Sequence, residues 1–222
     1  MIYCDTFLSR RLELTEALAN VDFVETRARL DPAYGAQWIK VGGTFAQFDG
    51  IESPLTQTFG LGIHEEATAE HLDEIEAFFK DRGAQVFHEV SPLADQSILA
   101  LLGERDYRPI ELTSVMFRDL SDVLLPPALS NPEILTRKID ESEADLWAAT
   151  SARGWATIHE SLADFMLAFG KIAARTSGGH PFIAEMNGKT VGAAGLAIYD
   201  RVCILAGAAT VPEARHADLA SD

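Results

Sequence analysis

The chain has 222 residues, 47% hydrophobic and 23% charged, the composition of a globular protein with one large or two small domains, and neither a disordered nor a fibrous one. Lys and Arg total 18 against 34 Asp and Glu, so the formal net charge is −16, which disfavours nucleic acid and anionic lipid as partners and suits a cationic acceptor such as an amine. No apolar run approaches the ~20 residues of a membrane-spanning helix, and the only cysteines, Cys4 and Cys203, have no C-x-x-C spacing, which excludes a disulfide framework or cysteine zinc site and suits a reducing cytoplasm.

Asp5, Arg10 and Arg11 leave no apolar core near the N-terminus, so it does not read as a signal peptide. Leu12, Ala17, Leu18, Val21, Val24 and Ala28 recur at helical spacing, predicting one or two helices that stop near Asp31-Pro32. Gly42-Gly43 marks a turn. Residues 44–63 turn β-like through Phe45, Phe48, Phe59 and Leu61, with breaks at Asp49-Gly50 and Pro54. Residues 65–83 predict a helix with Leu72, Ile75 and Phe79 on one face and Gly83 as its stop. A strand over 85–90, a helix capped by Asp95 and a strand or hairpin over 107–120 complete a first domain, 1–120. Residues 121–132, with Pro126-Pro127 and Asn131-Pro132, read as a linker.

The second domain, 133–222, opens with a strand over 134–139. Ser142 with Asp145 has the capping-box form and starts a helix that Gly154 ends; Ser161 with Asp164 repeats the device. Leu162, Phe165, Met166, Phe169 and Ile172 then form an apolar stripe up to Ser177-Gly178-Gly179. From His180 onward Asn187-Gly188 and Asp200-Arg201 separate three apolar runs, which predicts three consecutive antiparallel strands.

Few residues carry chemistry by spacing alone. Gly60-Leu61-Gly62 is a lone G-x-G and reads as a structural turn, because Glu65, Glu66 and Glu70 already occupy the positive end of the helix after it. His64 and His71 lie seven apart and miss the i, i+4 spacing of a metal pair, so no metal site is expected. Tyr107 reads as a packed aromatic at a strand start.

The order strand, two helices, three antiparallel strands over 133–222 resembles the first half of the GNAT superfamily of acyl-CoA N-acyltransferases. Arg215 to Ala220 match its phosphate turn, [Arg or Gln]-x-x-Gly-x-[Gly or Ala], at the first and last positions, with Asp218 where the family has glycine. The first domain, whose strand and helix order and E-R-D-Y-R-P-I passage are similar to the second half of that fold, reads as a degenerate first lobe. The resemblance implies an α/β (α+β) tandem fold of mixed, mostly antiparallel sheets flanked by helices, its second lobe truncated after the fourth strand. It implies acetyl transfer from acetyl-CoA to a primary amine on a small molecule or peptide. Ala209, Thr210 and Val211 would offer backbone groups to the pantetheine arm, and Arg215, His216 and Ala217 would face the pyrophosphate. Glu185 and Tyr199 are the acid and base candidates. Asp218 adds negative charge to the turn, and with the sequence ending at Asp222 the helix after it is not encoded. A second function therefore stays open, a non-catalytic scaffold or interaction module derived from the same fold. Either way the expected sheet keeps an open edge, which the first domain's sheet or a second copy in a homodimer would cover.

Overall fold

The computed structural model describes residues 4–120, 131–156 and 162–215, in two units, Met1–Leu125 and Pro126–Asp222. The cap expected at Ser161, most of the expected linker, and His216 and Ala217 lie outside the described residues.

In the first unit α1 (Thr6–Leu30) is a single helix, because Asp5 caps it by accepting from the Leu8 N–H at 2.8 Å and nothing breaks it before Asp31-Pro32. Strands β1 (Gln37–Val41), β2 (Thr44–Phe48) and β3 (Gln57–Phe59) form an antiparallel sheet in that order. Gly42 and Gly43 both have positive φ, +51° and +75°, the geometry of a two-residue hairpin turn. β2 is buried along its whole length, since each of its faces has a partner. Phe45 meets Ala17 and Val21 of α1, and Ala46 and Phe48 meet Leu72, Ile75 and Phe79 of α2 (Ala69–Lys80).

Several expectations change here. The helix after the G-x-G turn starts later than its acidic run suggests: Thr68 is its cap, accepting from the His71 N–H at 3.2 Å while its own N–H donates to His71 Nδ1 at 3.4 Å. Glu65 and Glu66 therefore precede α2. Residues 85–90 are not a strand but touch β3 at one parallel bridge, Thr58 with His88, because only the Thr58 backbone takes up the Phe87 carbonyl and the Glu89 N–H. Residues 107–120 run without a sheet partner among the described residues, leaving Leu112 and Met116 94% exposed; β propensity without a neighbouring strand does not make one. Asp95 accepts from the Ser97 N–H at 2.9 Å in the turn that leads into the next helix, α3 (Ser97–Glu104), but the N-cap position itself falls to Gln96, whose side chain makes no capping bond.

The second unit is a four-stranded antiparallel sheet in chain order: β4 (Ile134–Lys138), β5 (Gly179–Met186), β6 (Lys189–Tyr199) and β7 (Val202–Thr210). Helix α4 (Ala144–Trp155) packs on it, and α5 (Leu162–Ala173) packs on α4. Its core gathers Ile139, Trp147, Ala148, Ile183 and Ala193, and Trp147 Nε1 donates to the Phe182 carbonyl at 3.0 Å. The capping box uses Asp140 and Glu143 rather than Ser142 and Asp145, because a short 3-10 turn, Glu141–Glu143, precedes α4. Gly154 does not end α4, which runs on to Trp155; it lies where α4 passes β7, and a Cβ there would sit 2.7 Å from that of Ala209. Both expected hairpin turns form, with φ of +52° and +72° at Asn187-Gly188 and of +43° and +60° at Asp200-Arg201.

Candidate functional site

The acid and base expected in the second unit do not meet. Glu185 pairs with Thr190 in the sheet register, whereas Tyr199 lies nine positions further along β6, roughly 30 Å away at the rise of a strand. Glu185 accepts from Arg137 at 3.1 Å and 3.3 Å, and Arg137 also holds Glu143 at 2.7 Å, an exposed ion-pair cluster. Tyr199 closes the opposite end, with its hydroxyl against Gly178.

The end of β7 is closed by the chain itself. The pairs Gly192 with Thr210 and Ala193 with Ala209 continue into a Val211 N–H that donates to the Val191 carbonyl at 2.9 Å. The register slips between Ala193 and Gly195, with Gly207 at φ +69°, the signature of a β-bulge. Because antiparallel pairs alternate, Thr210 turns its N–H and C=O away from β6. On that side a Cβ at Gly154 would lie 3.2 Å from both the Thr210 nitrogen and oxygen. Arg215 Nε donates to the Thr210 carbonyl at 3.2 Å and Nη2 to the Gly154 carbonyl at 2.7 Å. The Thr210 carbonyl that would serve an acyl-CoA arm is thus bonded within the chain and its N–H is crowded by α4, so the described residues here do not fit that arm.

The first unit holds a cavity of about 370 Å³ between the start of α1, residues 62–66 and residues 93–96. Its lining includes Arg10, Gly62, His64, Glu65, Glu66 and Asp95. Arg10 Nε donates to the Ile63 carbonyl at 2.7 Å. Gly60 and Gly62 have positive φ, +76° and +72°, but the space over Gly60 is filled by the His64 ring at 3.1 Å, so these glycines serve packing. Burial, with Arg10 and Lys40 nearby, holds the His64 pKa below the usual imidazole value, which leaves three carboxylates against one cation around the cavity. That balance does not suit phosphates.

A group the sequence did not reveal lies beside this cavity. α1 turns Ser9, Glu13 and Glu16 toward residues 89–91. Ser9 Oγ and Ser91 Oγ are 3.1 Å apart, and Ser91 also hydrogen-bonds Glu13. Burial, then Glu89, pushes the Glu13 carboxyl up to about 7; burial, Glu89 and Glu13 do the same for Glu16. Burial and Glu111 raise Glu89 as well. Glu13 and Glu16 therefore hold protons near neutral pH beside a third raised carboxyl, which makes the cluster able to attract a cation and take a proton from it. On the sequence Glu13 and Glu16 look like an ordinary solvated helix face. Glu89, the partner that perturbs them, lies far along the chain.

Among the described residues no helix is long and apolar enough to cross a membrane, and no group of three or more His, Cys, Asp or Glu is placed to hold a metal ion. No protein-family model matches the chain, and no curated protein matches it in sequence. Solved structures do. A GCN5-related N-acetyltransferase from Kribbella flavida is 16% identical, with a TM-score of 0.57 over 90% of this chain and 76% of that one. A predicted acetyltransferase with acetyl-CoA from Clostridium acetobutylicum is 18% identical over 37% of this chain and 62% of that one; its TM-score of 0.27 is too low to bear on this chain.

Proposed function

We propose, from the premise that this chain has the fold of the GCN5-related N-acetyltransferases, that it is a tandem protein of that type, acting in the cytoplasm to acetylate a primary amine with acetyl-CoA. The observation that carries this reading is the fold, whose likeness over 90% of the chain reaches both units. Fold alone does not fix chemistry, and the acceptor side is where this chain adds its own. An ammonium ion must lose a proton before its nitrogen can attack an acyl carbon. Glu13 and Glu16, each raised to about 7, supply carboxyls for that step beside Glu89, which burial also raises, and a net charge of −16 favours a cationic acceptor. No residue is assigned to the donor, since the described end of β7 does not fit it.

The test is thiol release from acetyl-CoA by the purified chain with a panel of small primary amines and lysine peptides. Turnover is expected to depend on the amine and to fall about tenfold or more in Glu16→Gln, with a flattened pH profile. Thiol release no faster with any amine than without one would end this reading. The closed end of β7 favours a second one, a non-catalytic scaffold of the same fold, which predicts no acetyl-CoA binding even when that end is opened.

A further inference from the structure

We infer that Arg215 is a latch that keeps the end of β7 closed to an acyl-CoA arm, so that the residue matching the first position of the phosphate turn works against cofactor entry in this arrangement. The inference rests on reading that strand end as the donor's seat.

A strand takes up an extended ligand arm by offering outward N–H and C=O groups. Here the outward pair belongs to Thr210, and both sides of the would-be groove are taken. Gly154 brings the backbone of α4 against it; with any side chain at 154 the helix could not sit there, because a Cβ would lie 2.7 Å from the Ala209 Cβ. Arg215 then ties the two walls together through its two carbonyl bonds, 2.7 Å to Gly154 and 3.2 Å to Thr210. The short Pro212–Ala214 turn between Thr210 and Arg215 holds the guanidinium in reach, with the Arg215 N–H donating to the Pro212 carbonyl at 3.3 Å. Arg153 of α4 and Glu213 of that turn, 3.3 Å apart, add an exposed ion pair. A guanidinium that bridges two carbonyls loses both bonds when it turns to a phosphate. Cofactor uptake therefore requires opening, and the apparent affinity falls by the fraction of molecules that are open.

The test is calorimetric titration of acetyl-CoA into the wild-type chain, Arg215→Ala, Arg215→Lys and Arg201→Ala, with amide exchange over residues 208–214 followed in parallel. Arg201→Ala removes the same charge from the far end of β7. Both Arg215 variants are expected to bind at least about tenfold tighter than wild type, with faster exchange, while Arg201→Ala changes neither. Weaker binding in Arg215→Ala with retention in Arg215→Lys would overturn the latch, since the cation would then be a phosphate ligand. Unchanged exchange would overturn it too, and so would faster exchange without uptake. The transferase reading fails separately, if an opened variant binds acetyl-CoA and acetylates no amine. Near-ultraviolet circular dichroism on each variant confirms that its core is intact.

Discussion

Glu13 and Glu16 stand three positions apart on α1, and half-burial beside Glu89 holds both near pKa 7. A carboxyl raised in the folded state supports folding while protonated; that support is complete below the ordinary carboxylate range and is lost as the pH climbs to about 7. His88 works in the opposite direction. Burial holds its ring down to about 4, so its support is complete above the ordinary imidazole range and is lost as the pH falls toward 4. From pH 7.5 to 5.5 two glutamates together gain more than one histidine loses, and the melting temperature is expected to rise. Glu16→Gln should melt a few degrees above wild type at pH 7.5 with a shallower pH slope; a wild-type melting temperature flat across this range would contradict the assignment. Asp49 is a different case. At 1% exposure it accepts from Arg27 Nε, from Arg27 Nη2 at 3.1 Å and from Ser53 Oγ at 2.7 Å. Asp49→Ala leaves the guanidinium without its carboxylate and should cost about 3–5 kcal/mol in a denaturant titration, against about 1 kcal/mol for Ser53→Ala. Neither group was legible in the sequence, because Glu89 and Arg27 are remote from the side chains they perturb.

Secondary elements were legible where their signal was local. Asn187-Gly188 and Asp200-Arg201 announced both hairpins of the second unit, and the apolar stripe announced α5. β1 went unread because Gln37 and Lys40 dilute its alternation, and only pairing with β2 makes it a strand. Residues 85–90 and 107–120 have strand-like composition but lack a ladder, which composition cannot report. Glycines divide the same way. Gly170 lets α5 cross α4 closely, with Ala148 Cα and Cβ each 3.0 Å from where its Cβ would be. Gly170→Ala should therefore cost about 1–3 kcal/mol by overpacking. Gly103 in α3 has nothing within 4 Å, so Gly103→Ala should add about 0.5–1 kcal/mol. Urea midpoints of the two variants moving in the same direction would contradict this picture.

For the molecule as a whole, a net charge of −16 sets a self-repulsion that salt screens. The melting temperature should rise between about 0.02 M and 0.5 M NaCl, over which the screening length falls below about 5 Å, and a flat response would mean that the acids are balanced locally. A homodimer built on the outer edge of β7 would double the mass in light scattering; a monomer at high concentration would remove that expectation. The strand order of the second unit also says how this unit folds. β5, β6 and β7 join by two-residue turns, so their ladders can zip within about 10 μs of one another. β4 instead pairs Ile134 with Met186 across α4 and α5, a long loop that must close at an entropic cost. Refolding is therefore limited by the docking of β4 onto a preformed meander. Lesions at Asn187-Gly188 should act early, on nucleation, whereas lesions that loosen β4 without changing its docking should show mainly as faster unfolding.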